Sequence, residues 1–564
     1  MLGGAPPKYI FSVPLCLCGL RFSAFAVSSV VNQFSEPRAA GCRTAARKPF
    51  ARAGRSVPMP TITLACFALA ATLVAPLRLA SAQGHSSQGP SAPAPTGDSD
   101  PIEGKWWGMA GFAQDRVELG FEIKRNTQGE LKVYLYEPVL NFYGLEIPGT
   151  LERIGDKYVL ESYATSFKLM DGRIEGNYMP LQDPMSLRRT DSLPAEVAAP
   201  EFPTGPGPRW QVKLGGEIWA AAAVRDSVAY VGTTSGIFNA VSLKDGSFIW
   251  TFNAGRPMHG EALATDDAVF FVCDNGFLYR LDRATGTEVW RYDLGDAQSP
   301  RIMPHQIVYE YDFKAPRPLL ADGVIYAGAG DGGFHAVDAA TGTRVWRFAT
   351  EGKVRTDAVL SGRNVVFGSF DHFVYAVDRK TGHQAWKYNS YAEVDGSPAL
   401  IDAKIVVGNH GSIVQALEPA TGKLVWRRIW WGSAVESTPV EFGGRIYIGA
   451  SDLRRVTCME PKDGRVVWRT DVYGWAWARP LVTENIVYIG TGGSDPYQMR
   501  HVAAMTALDR KSGKILWRWP MPVLPGVLTY GFAAPPALAG NTVVIGGMDG
   551  TLYAFPADYG GRDN

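Results

Sequence analysis

Ionisable side chains return at intervals of about 40 residues through the last two-thirds of this 564-residue chain. They fall into two columns when the short segments GSPAL, STPVE and ARPLV are laid over one another. The first column reads Trp219, His259, Ala315, Arg355, Asp395, Glu436, Trp477 and Phe532. The second, two residues later, reads Ala221, Glu261, Arg317, Asp357, Ser397, Thr438, Arg479 and Ala534. Residues two apart on a strand share a face. His259, Glu261, Arg317, Arg355, Asp357, Asp395, Glu436, Trp477 and Arg479 are therefore expected to converge. Guanidinium and carboxylate groups so arranged can hold a charged or polar ligand through charge-assisted hydrogen bonds. They can equally satisfy one another as a salt-bridge network that needs no ligand, and the residue types leave both readings open. Replacing Arg355 and Asp395 together is expected to impair a binding funnel without unfolding the chain.

Two long connections add further candidates. Residues 296–318 carry His305, Tyr309, Tyr311 and Asp312, and residues 490–501 (GTGGSDPYQMRH) carry Asp495, Tyr497 and His501. Long loops on a rigid scaffold commonly bear function. Other catalytic constellations are missing: the chain has no HExxH, no Walker loop, no GxSxG at a strand-to-helix turn and no CxxCH.

The elements that must position these residues are set by a repeat. Seven segments, KDGSFIW, ATGTEVW, ATGTRVW, KTGHQAW, ATGKLVW, KDGRVVW and KSGKILW, end on Trp250, Trp290, Trp346, Trp386, Trp426, Trp468 and Trp517. Before each lie apolar runs such as VIYAG and FVYAVD, bounded by glycine- and aspartate-rich turns, which are strand and hairpin signals. Four short strands per unit make one propeller blade, and a ring of blades buries the faces that a lone sheet would expose. An eighth unit, VVIGGMDGTLYAFPAD, ends without its tryptophan, and the missing piece, PRWQVKLG with Trp210, stands at the start of the array. The strand near Trp210 is therefore expected to pair with the strand near Tyr553 and close an eight-bladed ring over residues 207–564. The tryptophans are expected to wedge between blades, and the two middle-strand and outer-to-inner connections to share one face. On that face both long loops would overhang the charged mouth.

This pattern, of the form YVG-x-x-DG-x-x-YALD-x-x-TG-x-x-x-W, resembles the PQQ-enzyme repeat. The resemblance implies the superfamily of quinoprotein alcohol dehydrogenases. It also implies kinship with non-catalytic propellers such as that of the outer-membrane β-barrel assembly machinery. The catalytic branch implies a calcium ion beside the quinone, held by a Glu, an Asn and an Asp, with a further Asp as base and often a vicinal disulfide. GTGGSDP at Gly490 is similar to that branch's GTGN turn, but Gly493 stands in place of the Asn. Asp395 in EVDGSP is similar to the Asp that opens an inner strand, and no adjacent cysteine pair lies beyond the leader.

The N-terminal region has a different character. Residues 1–82 hold nine of the 56 Lys and Arg and one of the 55 Asp and Glu, leaving 47 basic and 54 acidic groups in the remainder. A mildly acidic chain argues against a nucleic-acid partner. Arg52 and Arg55, the apolar stretch 61–75 and Ala80-Ser81-Ala82 form a secretory signal pattern. Residues 1–82 are thus expected to be a cleaved leader, with the true start near Met59, and the protein to be periplasmic with no stable membrane span. Residues 83–100, rich in Pro, Ser and Gly, are expected to be a disordered linker. Four of six cysteines lie in the leader, leaving Cys273 and Cys458, expected to be unpaired.

Residues 101–190 alternate apolar and polar positions between glycine turns, predicting a small all-β domain similar to lipocalin-like modules. Its Trp106, Trp107, Phe142 and Tyr143 either line a ligand cavity or fill a small barrel core. Residues 191–206 are a proline-rich hinge. The fold expected is thus all-β: an eight-bladed propeller of PQQ-like repeats preceded by a small β domain. The function expected is a non-enzymatic scaffold for an envelope protein, peptide or glycan, with no resident metal or cofactor. The alternative is a PQQ- and Ca2+-dependent oxidoreductase of alcohols or sugars using the same funnel.

Overall fold

In the computed structural model the described residues are 100–557, apart from 112–114, 164, 179–182, 199, 298–300, 302, 304–311, 431 and 495–500. The expected leader and all of the expected linker except Asp100 lie outside them.

Each repeat folds as four antiparallel strands, for the reasons its residues dictate. In the fourth, Val359–Ser361, Asn364–Gly368, Phe373–Asp378 and Gln384–Asn389 pair in sequence order. Val365, Val366, Phe367, Val374, Ala376 and Val377 of the middle strands are wholly buried between neighbouring blades. The turn after the third strand needs Asp-x-x-Thr-Gly because Asp378 Oδ1 accepts hydrogen bonds from the N–H groups of Lys380 and Thr381 and from the Thr381 hydroxyl. Gly382 follows at φ 72°, a left-handed conformation that costs a side chain roughly 1–2 kcal/mol.

The repeated tryptophan joins blades. Trp346 of the third blade donates its indole N–H to the Arg379 carbonyl at 3.0 Å and lies over Gly382 of the fourth. The same contact recurs from Trp250 to Gly286, Trp290 to Gly342, Trp386 to Gly422, Trp426 to Gly464 and Trp468 to Gly513. A Cβ at residue 382 would meet Trp346 Cδ2 at 2.9 Å. Gly382→Ala should therefore lower stability by about 2–4 kcal/mol, the sum of backbone strain and overpacking, seen as a fall in the urea midpoint. A loss below about 0.5 kcal/mol, the level of an ordinary surface change, would mean that the turn yields and that the indole is not wedged.

Circular closure is as the split repeat predicts. Trp210–Lys213 pairs antiparallel with Thr551–Pro556, with Trp210 opposite Ala554 and Gln211 opposite Tyr553. The eighth sheet thus takes its outermost strand from the other end of the array. Trp210 in turn covers Gly246 of the first blade. Trp517 packs on Gly205 of the hinge, whose N–H donates to the Arg518 carbonyl at 2.8 Å.

Ahead of the ring, nine strands form one antiparallel sheet: β1 (Gly104–Ala110), β2 (Val117–Arg125), β3 (Leu131–Glu137), β4 (Phe142–Glu146), β5 (Glu152–Ile154), β6 (Lys157–Leu160), β7 (Thr165–Met170), β8 (Arg173–Tyr178) and β9 (Asp183–Thr190). Their order is β4-β3-β2-β1-β9-β8-β7-β6-β5. This corrects the expectation of a lipocalin-like barrel: β4 and β5 stand at opposite edges and the sheet is open. The propeller supplies what closure would have supplied. Trp426, Trp430, Leu453 and Ile401 of blades five and six join Trp106, Phe121, Phe142 and Phe167 in one continuous core, and Arg469 pairs with Asp115 across the junction. Trp106 and Phe142 are therefore core residues, the former donating its indole N–H to the Ile102 carbonyl at 2.8 Å, while Trp107 and Tyr143 are half-buried.

Among the described residues no helix is long and apolar enough to cross a membrane. Cys273 and Cys458 are buried free thiols, and burial pushes both up to about 11.

Candidate functional site

The column residues sit just ahead of the innermost strands, where the outer-to-inner connection of each blade turns into the central channel. A cavity at that mouth is lined by His259, Glu261, Arg355, Asp357, Glu436, Trp477 and Arg479, together with Trp219, Phe313 and Lys314. Arg317 and Asp395 border it through their contacts with Glu261 and Lys314. His305, Tyr309, Tyr311, Asp495 and Tyr497 lie outside the described residues. His501 stacks on Trp475 with ring centroids 4.3 Å apart, and Trp475 lies beside Trp477 of the cavity lining.

The charges sort into three groups. In the first, Glu261 bridges two guanidinium groups, Arg479 at 2.9 Å and Arg317 at 3.3 Å. Asp357 accepts from the Arg317 backbone N–H at 2.8 Å. Burial pushes the Asp357 carboxyl up, against the pull of Arg317, and Glu261 raises Arg479 further. The side chains of Arg317 and Arg479 remain 37% and 27% exposed.

The second group is centred on buried charges, with Lys353 at its exposed edge. Arg355, 2% exposed, donates to Asp296 at 2.7 Å and to Asp312 at 2.9 Å. Asp312 also pairs with Arg301 at 3.2 Å and Lys353 at 2.6 Å. Arg301 continues to Asp274 at 2.8 Å, whose other oxygen lies 3.0 Å from His259 Nδ1. Burial drives His259 toward its neutral form, partly offset by Asp274. Burial would raise Asp274, but Arg301 and His259 outweigh it and hold its carboxyl well below the usual range.

The third group comprises Asp395, His410 and Glu436. His410 Nδ1 is 3.2 Å from Asp395 and 3.9 Å from Glu436. Burial, then the charge of Asp395, pushes the Glu436 carboxyl up to about 8.

Between these groups the chain fills its own axis. Phe313, 2% exposed, packs against Trp219 and Trp477 at centroid distances of 5.5 and 5.2 Å. Trp477 is also stacked on Trp475 at 4.8 Å. The Lys314 ammonium donates to the backbone carbonyls of Asp395 and Glu436. Residue 315 forms a parallel bridge with Gly260. Phe313, Lys314 and Ala315, in the blade-three insertion, therefore enter the channel.

Sequence reasoning missed Asp274, Asp296, Arg301, Phe313, Lys314 and His410. Asp274 and His410 stand on turns between the second and third strands, which share the mouth's face. Aligning those turns as well as the inner segments would have found both.

Three stretches, residues 196–307, 274–429 and 410–562, match a family model described as outer membrane protein assembly factor BamB. The assembly factor BamB of Yersinia pestis is 27% identical over 147 residues, 24% of this chain and 35% of that protein. A 1-butanol dehydrogenase (quinone) of Thauera butanivorans is 30% identical over 157 residues, 25% of each chain. The matched region thus spans about a third or less of these curated relatives. Among solved structures, the computationally designed Ika8 protein superposes with a TM-score of 0.50 at 16% identity, covering 62% of this chain and all of that one. That likeness concerns the fold alone.

Proposed function

The chain belongs to the family of the outer membrane protein assembly factor BamB, and from that premise we propose that it is a non-enzymatic platform of the cell envelope that binds a protein segment at the channel mouth. The observation that carries this reading is the filled axis. Phe313 occupies the place beside Trp219 and Trp477, and Arg355 donates through Nε to Asp312 and through one terminal nitrogen to Asp296. A planar quinone stacked on Trp477 would have to displace either Phe313 or Trp475, so the residues present do not fit that cofactor. What the mouth offers outward is the Arg317–Glu261–Arg479 group and the half-exposed Lys353. Its accessible charge is mostly positive, which suits an acidic stretch of polypeptide.

The test is site-specific photo-crosslinking in cells of the native host. A crosslinker at position 317 or 353 should trap envelope proteins, and one at Lys423, on the turn at the opposite end of its blade, should not. Arg317→Glu with Arg479→Glu should weaken capture about 10- to 100-fold, as reversal of interface charges does. Equal capture at both ends of the ring would defeat the assignment of the mouth. The second reading, an alcohol-oxidising quinoprotein, is favoured by the match to the 1-butanol dehydrogenase. Alcohol-dependent dye reduction after loading with PQQ and Ca2+ would establish it and overturn the scaffold reading.

A further inference from the structure

The third charged group has a composition and geometry that the platform reading does not use. Asp395 precedes the inner strand Ala399–Ile401, Glu436 precedes Val440–Phe442, and His410 stands on the turn between Lys404–Gly408 and Ile413–Leu417. One donor atom from each of the three lies within 4.8 Å of the others. Asp395 and Glu436 are 2% and 3% exposed. Beyond the oxygens that face His410, Asp395 Oδ1 and Glu436 Oε2 are buried with no hydrogen-bond partner. A buried carboxylate oxygen left without a donor is costly unless something positive meets it.

The scaffold around the trio is built to hold it. Residue 396 has no side chain, and a Cβ there would meet the Val435 carbonyl at 2.8 Å, so its glycine lets the two carboxylate-bearing segments lie side by side. The His410 turn is pinned by Asn409, which accepts from the Ile413 N–H at 3.0 Å and donates to the Ser390 carbonyl at 2.7 Å. Ionised, the two carboxyl groups would bring two negative charges to meet a cation. The nearest ammonium, Lys314, is engaged by the backbone carbonyls of Asp395 and Glu436 rather than by their carboxylates. Asp452, the next acidic group, is bound by the Trp475 indole at 3.1 Å.

We propose that Asp395, His410 and Glu436 form a binding site for a divalent metal ion of the zinc class. Tetrahedral coordination at bonds of about 2.0–2.2 Å places ligand atoms roughly 3.3–3.5 Å apart. The observed 3.2 and 3.9 Å from His410 Nδ1 need only small side-chain adjustments to match. An imidazole nitrogen with two carboxylates suits zinc and disfavours calcium, which takes oxygen ligands in greater number. Three protein ligands leave one position for water. The site is independent of the mouth's binding partner, so it stands or falls separately from the platform.

The test uses the tag-free full chain, treated with EDTA and then titrated with Zn2+ alone and with Co2+ as a spectroscopic probe. About one equivalent of Zn2+ per chain should bind, and Co2+ should give visible bands of tetrahedral type. His410→Ala and Glu436→Gln should each weaken Zn2+ binding by more than about 100-fold, beyond the loss caused by disturbing an outer-shell partner. Circular dichroism should show both variants folded. Wild-type protein that takes up no Zn2+, or variants that bind it as wild type does, would overturn the proposal and leave the trio as a proton-sharing cluster.

Discussion

The double variant Trp210→Ala, Val212→Asp is expected to lose about 4–6 kcal/mol of stability and to aggregate, with the front sheet untouched. Trp210 and Val212 are the half-buried apolar residues of the closing strand, packed on a cluster that includes Leu214, Val231, Val241 and Leu552. Truncating a fully buried tryptophan costs about 3–5 kcal/mol, and partial burial brings Trp210 to roughly 2–3 kcal/mol. A carboxylate placed in the same seam adds about 2–3 kcal/mol. Once the strand lets go, Thr551–Pro556 is left as an open edge, a template for pairing with another chain. The indole contact with Gly246 and the N–H bond to the Leu243 carbonyl at 3.0 Å go with it, so blades eight and one separate. Urea midpoints and light scattering would measure this. Val467→Asp is the control: it lies on the outer strand of blade six, 41% exposed, and should cost less than about 0.5 kcal/mol. If the double variant behaves like the control, the ring does not depend on its closing strand.

The blades were readable because their determinants are local and repeated. Each Asp-x-x-Thr-Gly turn needs a carboxylate that folds back on its own backbone and a glycine under the preceding blade's tryptophan, and those needs leave a mark every forty or so positions. Inner-strand residues could be brought to one place for the same reason: a repeat gives every copy the same address. What could not be read was whatever breaks the repeat. Phe313 and Lys314 belong to an insertion with no counterpart in other blades, and nothing in their types says that they turn into the channel rather than out over it. The open front sheet escaped for a related reason. Its strands alternate just as a closed barrel's would, and the missing wall is supplied by Trp426 and Trp430, which are some three hundred residues away. His410 was legible in principle, since its turn shares a face with Asp395, but its partners come from two blades and no short motif joins them.

Replacing Arg355 by Met is expected to cost about 3–5 kcal/mol, the usual result of removing one member of a buried ion group. On sequence alone Arg355 was a ligand-facing residue whose loss the ring would tolerate. Its position between Asp296 and Asp312 gives it a different task. Asp296 lies at the start of the blade-three insertion, and Asp312 immediately precedes Phe313. One guanidinium therefore ties both ends of the insertion to the fourth blade. Without it, Asp312 retains Arg301 and Lys353, but Asp296 faces a buried site with its charge uncompensated. The strain is relieved by releasing the segment, which withdraws Phe313 from Trp219 and Trp477 and admits water to both indoles. Tryptophan emission should shift to the red and the thermal midpoint should fall. Adding Asp296→Asn removes the orphaned charge, so the double variant should recover at least about 1.5 kcal/mol relative to additive losses, the lower end of coupling measured between close charge pairs. Unchanged emission with a loss under about 1 kcal/mol would instead mean that aromatic packing holds Phe313 in the axis without help from the charges beside it. In that case a filled channel would be a property of the aromatic cluster, and the ionic group would have to be explained by what it presents to a partner.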